Sequence, residues 1–301
     1  MIAEIKAQNP AILAALEPYQ YTYPSFKQTL SETELVDLVG QYDYWIIGDD
    51  PVTEQVVLAG LSGQLKAAVK WGVGTDNVDF AACKLHELPI SHTPGVFGEE
   101  VSDVAVGYML ALARHLATID RSVRTGSWLK IAGQSLSELK AAVIGYGDIG
   151  QCTVRKLNSF NFKEVVFYDP FHTDKPQACS TVEQAVNQAD YIIVCCALNP
   201  STHKLVNKEL LSIANKGVRL VNVARGPVVD HTAVVELQQS NHIYAVALDV
   251  FDPEPFDPVH NPVHQQLASY PQNIFGSHNG SNTKEAVTRV SLQAVAQLRL
   301  A

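Results

Sequence analysis

Apolar residues gather into short runs rich in Val, Ile and Ala, and stretches with helical or turn-like spacing separate the runs. Alternation of this kind predicts a parallel sheet with crossover helices. An N-terminal series lies at 44–48 (YWIIG), 65–71 (LKAAVKW) and 88–91 (LPIS). A denser series follows at 141–145 (AAVIG), 165–169 (VVFYD), 191–197 (YIIVCCA), 219–224 (RLVNVA), 245–250 (AVALDV) and 273–277 (NIFGS). Near-continuous apolar character suits strands covered on both faces. Between the series, Val101, Val104, Ala105, Tyr108, Met109, Leu112 and Leu116 recur at steps of three and four, predicting a helix that starts near Gly98 or Glu99. Glu99 and Glu100 then sit at the positive end of its dipole, which is reason enough for both without a catalytic role.

Two strand series imply two domains, and 301 residues agree, because single domains usually run about 100–200 residues. A hydrophobic content of 47% excludes disorder. The net charge of -9 and the lack of any Lys/Arg run argue against a nucleic-acid partner. No apolar stretch approaches the roughly 18–20 residues of a membrane span. The opening MIAEIKAQNP lacks the basic start and apolar run of a secretory signal. Five scattered cysteines, Cys83, Cys152, Cys179, Cys195 and Cys196, form no C-x-x-C and fit reduced thiols. A cytoplasmic protein is expected.

Residues 145–150 read G-Y-G-D-I-G directly after a predicted strand and before a segment that can be helical, the context a dinucleotide-binding fingerprint requires. Gly145 allows the tight turn, Gly147 lets the backbone approach a pyrophosphate, and Gly150 lets helix and strand pack closely. Tyr146, Asp148 and Ile149 complete the loop, with Asp148 expected to point to solvent. Asp169 ends the next strand 19 residues beyond Gly150, where an acid accepts hydrogen bonds from the adenosine ribose and repels a 2′-phosphate. NAD is therefore the expected cofactor, not NADP. Three further pieces lie just beyond strand ends: NVARG with Arg225, LDVFDPEP with Glu254, and GSHNG with His278. His260 and His264 have Pro262 between them and no further ligands at metal spacing, so no metal is expected.

With WGVGTDNVD at 71–79 and TPG at 93–95, these motifs resemble the D-isomer-specific 2-hydroxyacid dehydrogenases, the group that includes phosphoglycerate, glycerate and formate dehydrogenases. The resemblance implies an α/β chain of two Rossmann-like domains: an NAD-binding doubly wound parallel sheet at 94–279, and a smaller flavodoxin-like substrate domain built from 1–93 and the returning segment 280–301. It implies that Arg225 binds substrate, that His278 donates and accepts the proton, and that Glu254 pairs with the histidine. Ala224 and Asp249 join the cofactor residues, and the 72–74 loop (Gly72, Val73, Gly74) offers amides to the substrate carboxylate. The residue types suit the chemistry. Hydride transfer at the substrate C2 must be matched by a proton at its oxygen, which calls for a group titrating near neutrality, and arginine supplies a planar fork for a carboxylate. A homodimer is implied, with Arg121, Arg124 and Trp128 on an arm that packs against a partner subunit.

The substrate stays open between small 2-keto acids such as hydroxypyruvate or glyoxylate and the phosphoglycerate type. Asp49 and Asp50 stand in GDDPVT, where phosphate-specific members carry an arginine, and Lys70 alone offers a basic contact. The chain ends at Ala301, so the regulatory domain of some phosphoglycerate dehydrogenases is not expected. A non-catalytic NADH-sensing protein on the same fold is the alternative from another functional class.

Overall fold

The computed structural model describes residues 9–22 and 29–299, so the N-terminal stretch read against a secretory signal lies almost wholly outside it. Two compact units divide the chain: Met1–Val96 with Asn282–Ala301, and Phe97–Ser281. In the first, β1 (Tyr44–Ile47), β2 (Ala67–Lys70) and β3 (Ile90–His92) form a parallel sheet in the order β1-β2-β3. Every residue of β2 is buried, including Lys70. Lys70 Nζ donates to the Gly48 carbonyl at 2.6 Å and stands 3.4 Å from Asp49 Oδ1. Its charge is thus spent on tying β2 to the turn after β1, which accounts for a lysine in an otherwise apolar strand.

Helices Glu32–Leu38 and Glu54–Ser62 begin at Ser31 and Thr53, whose side chains accept from backbone amides three residues on. They cover a core of Leu35, Val39, Ile47, Val56, Val57 and Ala68. The C-terminal helix Lys284–Leu298 returns to this unit, and Val295 packs with Ile12 and Leu16. Trp71 Nε1 donates to Ser291 Oγ at 3.1 Å.

The second unit contains β4 (Lys140–Ile144), β5 (Glu164–Tyr168), β6 (Ala178–Cys179), β7 (Tyr191–Val194), β8 (Val218–Asn222), β9 (Ile243–Leu248) and β10 (Ile274–Phe275). All are parallel, in the order β10-β9-β8-β7-β4-β5-β6. The chain leaves β4 toward β5 and comes back on the other side as β7, so the switch point falls beside β4. Open α/β sheets bind ligands there, beyond the carboxyl ends of the strands. β4, β7 and β8 are buried almost throughout, as expected of a sheet covered on both faces.

The long helix runs Gly98–Arg114 and buries Val101, Ala105, Met109 and Leu112. It stops short of Leu116. His115 takes a left-handed conformation (φ 56°), a second helix Leu116–Arg124 follows it, and Leu116 is 54% exposed, off the buried stripe. The run at 191–197 is likewise strand only to Val194. The five cysteines are free thiols, and burial pushes Cys195 up to about 12 and Cys196 up to about 11, so both stay protonated. Among the described residues no helix is long and apolar enough to cross a membrane.

Phe251, Phe256 and Phe275 pack with His231 and His264 in one aromatic cluster. His231 is 5% exposed, and neither of its ring nitrogens has a hydrogen-bond partner. Burial, with the His264 ring 6.3 Å away adding to it, lowers its pKa to about 4. The unfolded histidine titrates near 6.5, so the stabilisation is complete above that value and is lost as pH falls toward 4, at about 1.4 kcal/mol per pH unit. We expect Tm to drop between pH 6.5 and 4.5 and His231→Phe to flatten the drop; an equal slope in wild type and variant, measured by calorimetry, would assign the acid sensitivity to other groups.

Candidate active site

The loop at 145–150 begins where β4 ends. Gly145 adopts φ 97°, and a Cβ there would lie 2.6 Å from the Cys196 amide nitrogen, so both conformation and space demand glycine. A Cβ at Gly150 would fall on the Gly145 carbonyl oxygen, so helix Asp148–Leu157 can approach β4 only without a side chain there. Gly147 differs: nothing lies within 4 Å of where its Cβ would be. It caps a helix that has no side-chain cap, so its side faces open space and the first amides of the helix remain available to an anion. These three positions fit a dinucleotide pyrophosphate.

Asp148 is exposed, yet its carboxylate does not simply project into solvent. It lies against Gly98, where a Cβ would meet it at 2.7 Å, and so sits at the positive end of helix Gly98–Arg114. The Ile149 carbonyl accepts from Thr153 Oγ1 at 2.8 Å within the helix. The Tyr146 ring stacks on Phe167 with centroids 3.6 Å apart. Its amide donates to Asp169 Oδ2 at 2.8 Å, joining the glycine loop to the end of β5. Asp169 Oδ1 accepts from the Phe171 amide at 2.9 Å and lies 3.0 Å from His172 Nδ1. Burial opposes the charge on Asp169, but the two amides and the His172 ring outweigh it and hold the carboxyl below its ordinary range.

Three loops from the carboxyl ends of adjacent strands assemble the second part of the site. Asn222 ends β8 fully buried; its Oδ1 accepts from the Ala224 amide and its Nδ2 donates to the Arg225 carbonyl, both at 3.0 Å. That clip shapes the turn carrying Arg225. The adjoining Gly226 has no room for a side chain, since a Cβ would fall on the Phe251 carbonyl. Arg225 Nη1 donates to the Ala224 carbonyl at 2.8 Å. Beyond β9, Glu254 Oε1 accepts from the Phe251 amide at 3.0 Å, and Oε2 lies 2.9 Å from His278 Nδ1. Partial burial works to raise the Glu254 carboxyl, but His278, the Phe251 amide and the Arg225 charge lower it further, so it is held below the usual range.

An ionised carboxylate only accepts hydrogen bonds, so His278 Nδ1 carries the proton toward Glu254, and Nε2 is the nitrogen suited to proton exchange. The histidine side chain is 39% exposed. Asp249 does something the motif did not suggest. It is 3% exposed, and its side chain and backbone bind the turn that carries His278.

The 72–74 turn belongs to the other unit. Gly72 has φ 119°, and its amide donates to Thr93 Oγ1 at 2.7 Å. That amide is taken by Thr93 from another segment, so an anion nest there falls to those of Val73 and Gly74. His264 Nδ1 accepts from the Asp257 amide at 3.0 Å, while the exposed His260 pairs with the Asp257 carboxylate at 2.8 Å. Among the described residues no group of three or more His, Cys, Asp and Glu could hold a metal.

Residues 106–280 match the sequence model of a family described as D-isomer specific 2-hydroxyacid dehydrogenase, NAD binding domain. The hydroxypyruvate reductase of Thermotoga maritima is 32% identical over 274 residues, covering 89% of this chain and 88% of that protein. The D-3-phosphoglycerate dehydrogenase of Bacillus subtilis is 32% identical over 236 residues, but the chain spans only 44% of its length. Among solved structures, the TT0316 protein from Thermus thermophilus is similar with a TM-score of 0.84 at 28% identity, covering 96% of this chain and 93% of that one. The chain therefore belongs to the D-isomer specific 2-hydroxyacid dehydrogenase family, and it is an NAD-dependent oxidoreductase acting on small hydroxy and keto acids.

Proposed function

We propose that this chain interconverts an unphosphorylated 2-keto acid and its D-2-hydroxy acid, with hydroxypyruvate and glyoxylate ahead of a phosphorylated acid. The observation that carries the reading is the His278–Glu254 pair, held beyond the strand ends that also position Arg225. When bound, the nicotinamide supplies or takes the hydride. The chain manages the rest. His278 Nε2 gives its proton to the substrate oxygen in reduction and takes it back in oxidation, while Glu254 holds the ring in one tautomer and favours its charged form. Arg225 orients the substrate carboxylate, and in the other unit the Val73 and Gly74 amides form an anion nest.

Gly145, Tyr146, Gly147, Asp148, Ile149 and Gly150 form the pyrophosphate loop in this reading, Asp169 takes the ribose hydroxyls, and Ala224 and Asp249 serve the nicotinamide end. The NAD-binding domain is then 94–279, with the substrate domain at 1–93 and 280–301. Asp49 and Lys70 support an unphosphorylated substrate, because the lysine beside that turn is already bonded to the Gly48 carbonyl and the acid would repel a phosphate. The relative named hydroxypyruvate reductase, matched over nearly its whole length, points the same way. Free thiols support a cytoplasmic setting. The exposed Leu116, Val123, Trp128 and Leu129 support a homodimer through this arm.

Following NADH absorbance over a panel of 2-keto acids tests the substrate: hydroxypyruvate or glyoxylate should exceed 3-phosphohydroxypyruvate in kcat/KM, and the reverse order would restore the phosphoglycerate assignment. His278→Gln should lower kcat by about 10²–10⁴-fold with NADH affinity nearly intact; near-normal turnover would remove His278 from proton transfer. Gly147→Ala should weaken NADH binding while leaving the urea midpoint almost unchanged. Gly150→Ala should instead cost about 1–3 kcal/mol of stability through overpacking; matching effects at the two positions would contradict their separate roles.

A further inference from the structure

Asp249 follows β9 directly and has its carboxylate almost wholly out of water. Its four polar groups tie it to three segments. Oδ1 accepts from the Tyr108 hydroxyl at 3.1 Å, and Oδ2 accepts from the Gly280 amide at 2.9 Å. Its carbonyl accepts from the His278 amide at 2.7 Å, and its amide donates to the Asn222 carbonyl at 2.9 Å. His278 has a positive φ of 54°, which a non-glycine residue keeps only when its surroundings hold it there. The two amide bonds on either side of Asn279 are such a hold.

Gly276 shows how closely the turn fits. A Cβ there would fall on both Asp249 Oδ1 and the Tyr108 hydroxyl oxygen. Tyr108 comes from helix Gly98–Arg114, far away in sequence, and none of the cofactor or proton-transfer roles above uses it.

We propose that Tyr108 is a positioning residue for His278: its hydroxyl fixes the Asp249 carboxylate, and Asp249 in turn clamps the 276–280 turn that places the imidazole against Glu254. The proposal rests on the reading of His278 as the proton donor. A buried carboxylate held by neutral donors depends on each of them, and losing one leaves an unsatisfied oxygen that turns to find another. Burial and the adjacent Asp249 charge push the phenol well above its usual range, so Tyr108 keeps its proton and stays a donor. Without it the carboxylate can rotate, the Gly280 bond slackens, and His278 loses its fixed distance to the reacting oxygen. Proton transfer is sensitive to such shifts: a misplacement of about 1 Å can cost about 10²-fold in rate.

The test is Tyr108→Phe in the full chain, assayed with saturating NADH and the best keto acid of the panel. A fall in kcat of about 10-fold to 100-fold is expected. The primary isotope effect should grow with NADH deuterated at the transferred position, because chemistry becomes limiting, while NADH Kd stays within about threefold. Normal kcat and isotope effect in this variant, beside an inactive His278→Gln, would overturn the positioning role and leave the acid–base reading standing. A weaker NADH Kd with unchanged kcat would also overturn it, moving Tyr108 to cofactor binding. An active His278→Gln would remove both readings. Gly276→Ala presses on the same pair from the turn side and should reproduce the signature, so the proposal remains decidable if Tyr108→Phe folds poorly.

Discussion

A carboxylate and an imidazole 2.9 Å apart are the interaction on which this site is built. Neither residue comes from an element that could hold it there alone. Glu254 lies in an irregular loop after β9, and His278 lies in a turn after the two-residue β10. The pair exists because parallel strands deliver all their carboxyl ends to one edge of the sheet, about 4.8 Å apart from strand to strand. Loops that leave neighbouring strands at that edge must meet. The β9 and β8 registers, fixed by apolar side chains packed on both faces, thus become the positional reference for the chemistry above them.

Such loops still need internal fastening, and it comes from polar groups buried one layer below the reacting ones. Asn222 closes the turn of Arg225, Asp249 closes the turn of His278, and the Phe251 amide orients Glu254. Each is a polar group that burial would penalise if it were unpaired, and each is paired within the loops it shapes, Asp249 with Tyr108 of the long helix as well. The cost of breaking the pairing is what makes the loop geometry definite.

This division explains what was legible from sequence. The glycine loop, the acid after β5 and the apolar strands carry strong local signals, since conformation, spacing and hydrophobicity are written in consecutive residues. Other features depend on partners distant in the chain. Tyr108 sits in a regular apolar stripe, and only the Asp249 oxygen, 141 positions away, reveals its hydroxyl as working. Lys70 reads as a cation for a ligand until the Gly48 carbonyl is seen against it. The break at His115 has no proline or glycine to mark it. The two-residue β6 pairs at only Phe167 and Tyr168, too short to leave a pattern. Asn222 is the polar interruption of the apolar LVNVA run, and that isolation is a usable sign of a buried structural role.

The histidines show the same principle at the level of a single residue type. His260 is exposed beside Asp257 and His231 is sealed among aromatic rings; His264 is buried but accepts a backbone amide. His278, by contrast with these three, combines partial exposure with a half-buried ionised partner at one nitrogen. Imidazole chemistry is common to all four. What separates a proton donor from a packing element is therefore which of its two nitrogens the protein commits, and with what charge. A fully buried ring such as His231 cannot reach the substrate, and a largely solvated one such as His260 has little around it to fix its position. Catalytic use requires the intermediate case: one nitrogen committed, one presented, and a backbone turn stiff enough to keep them so.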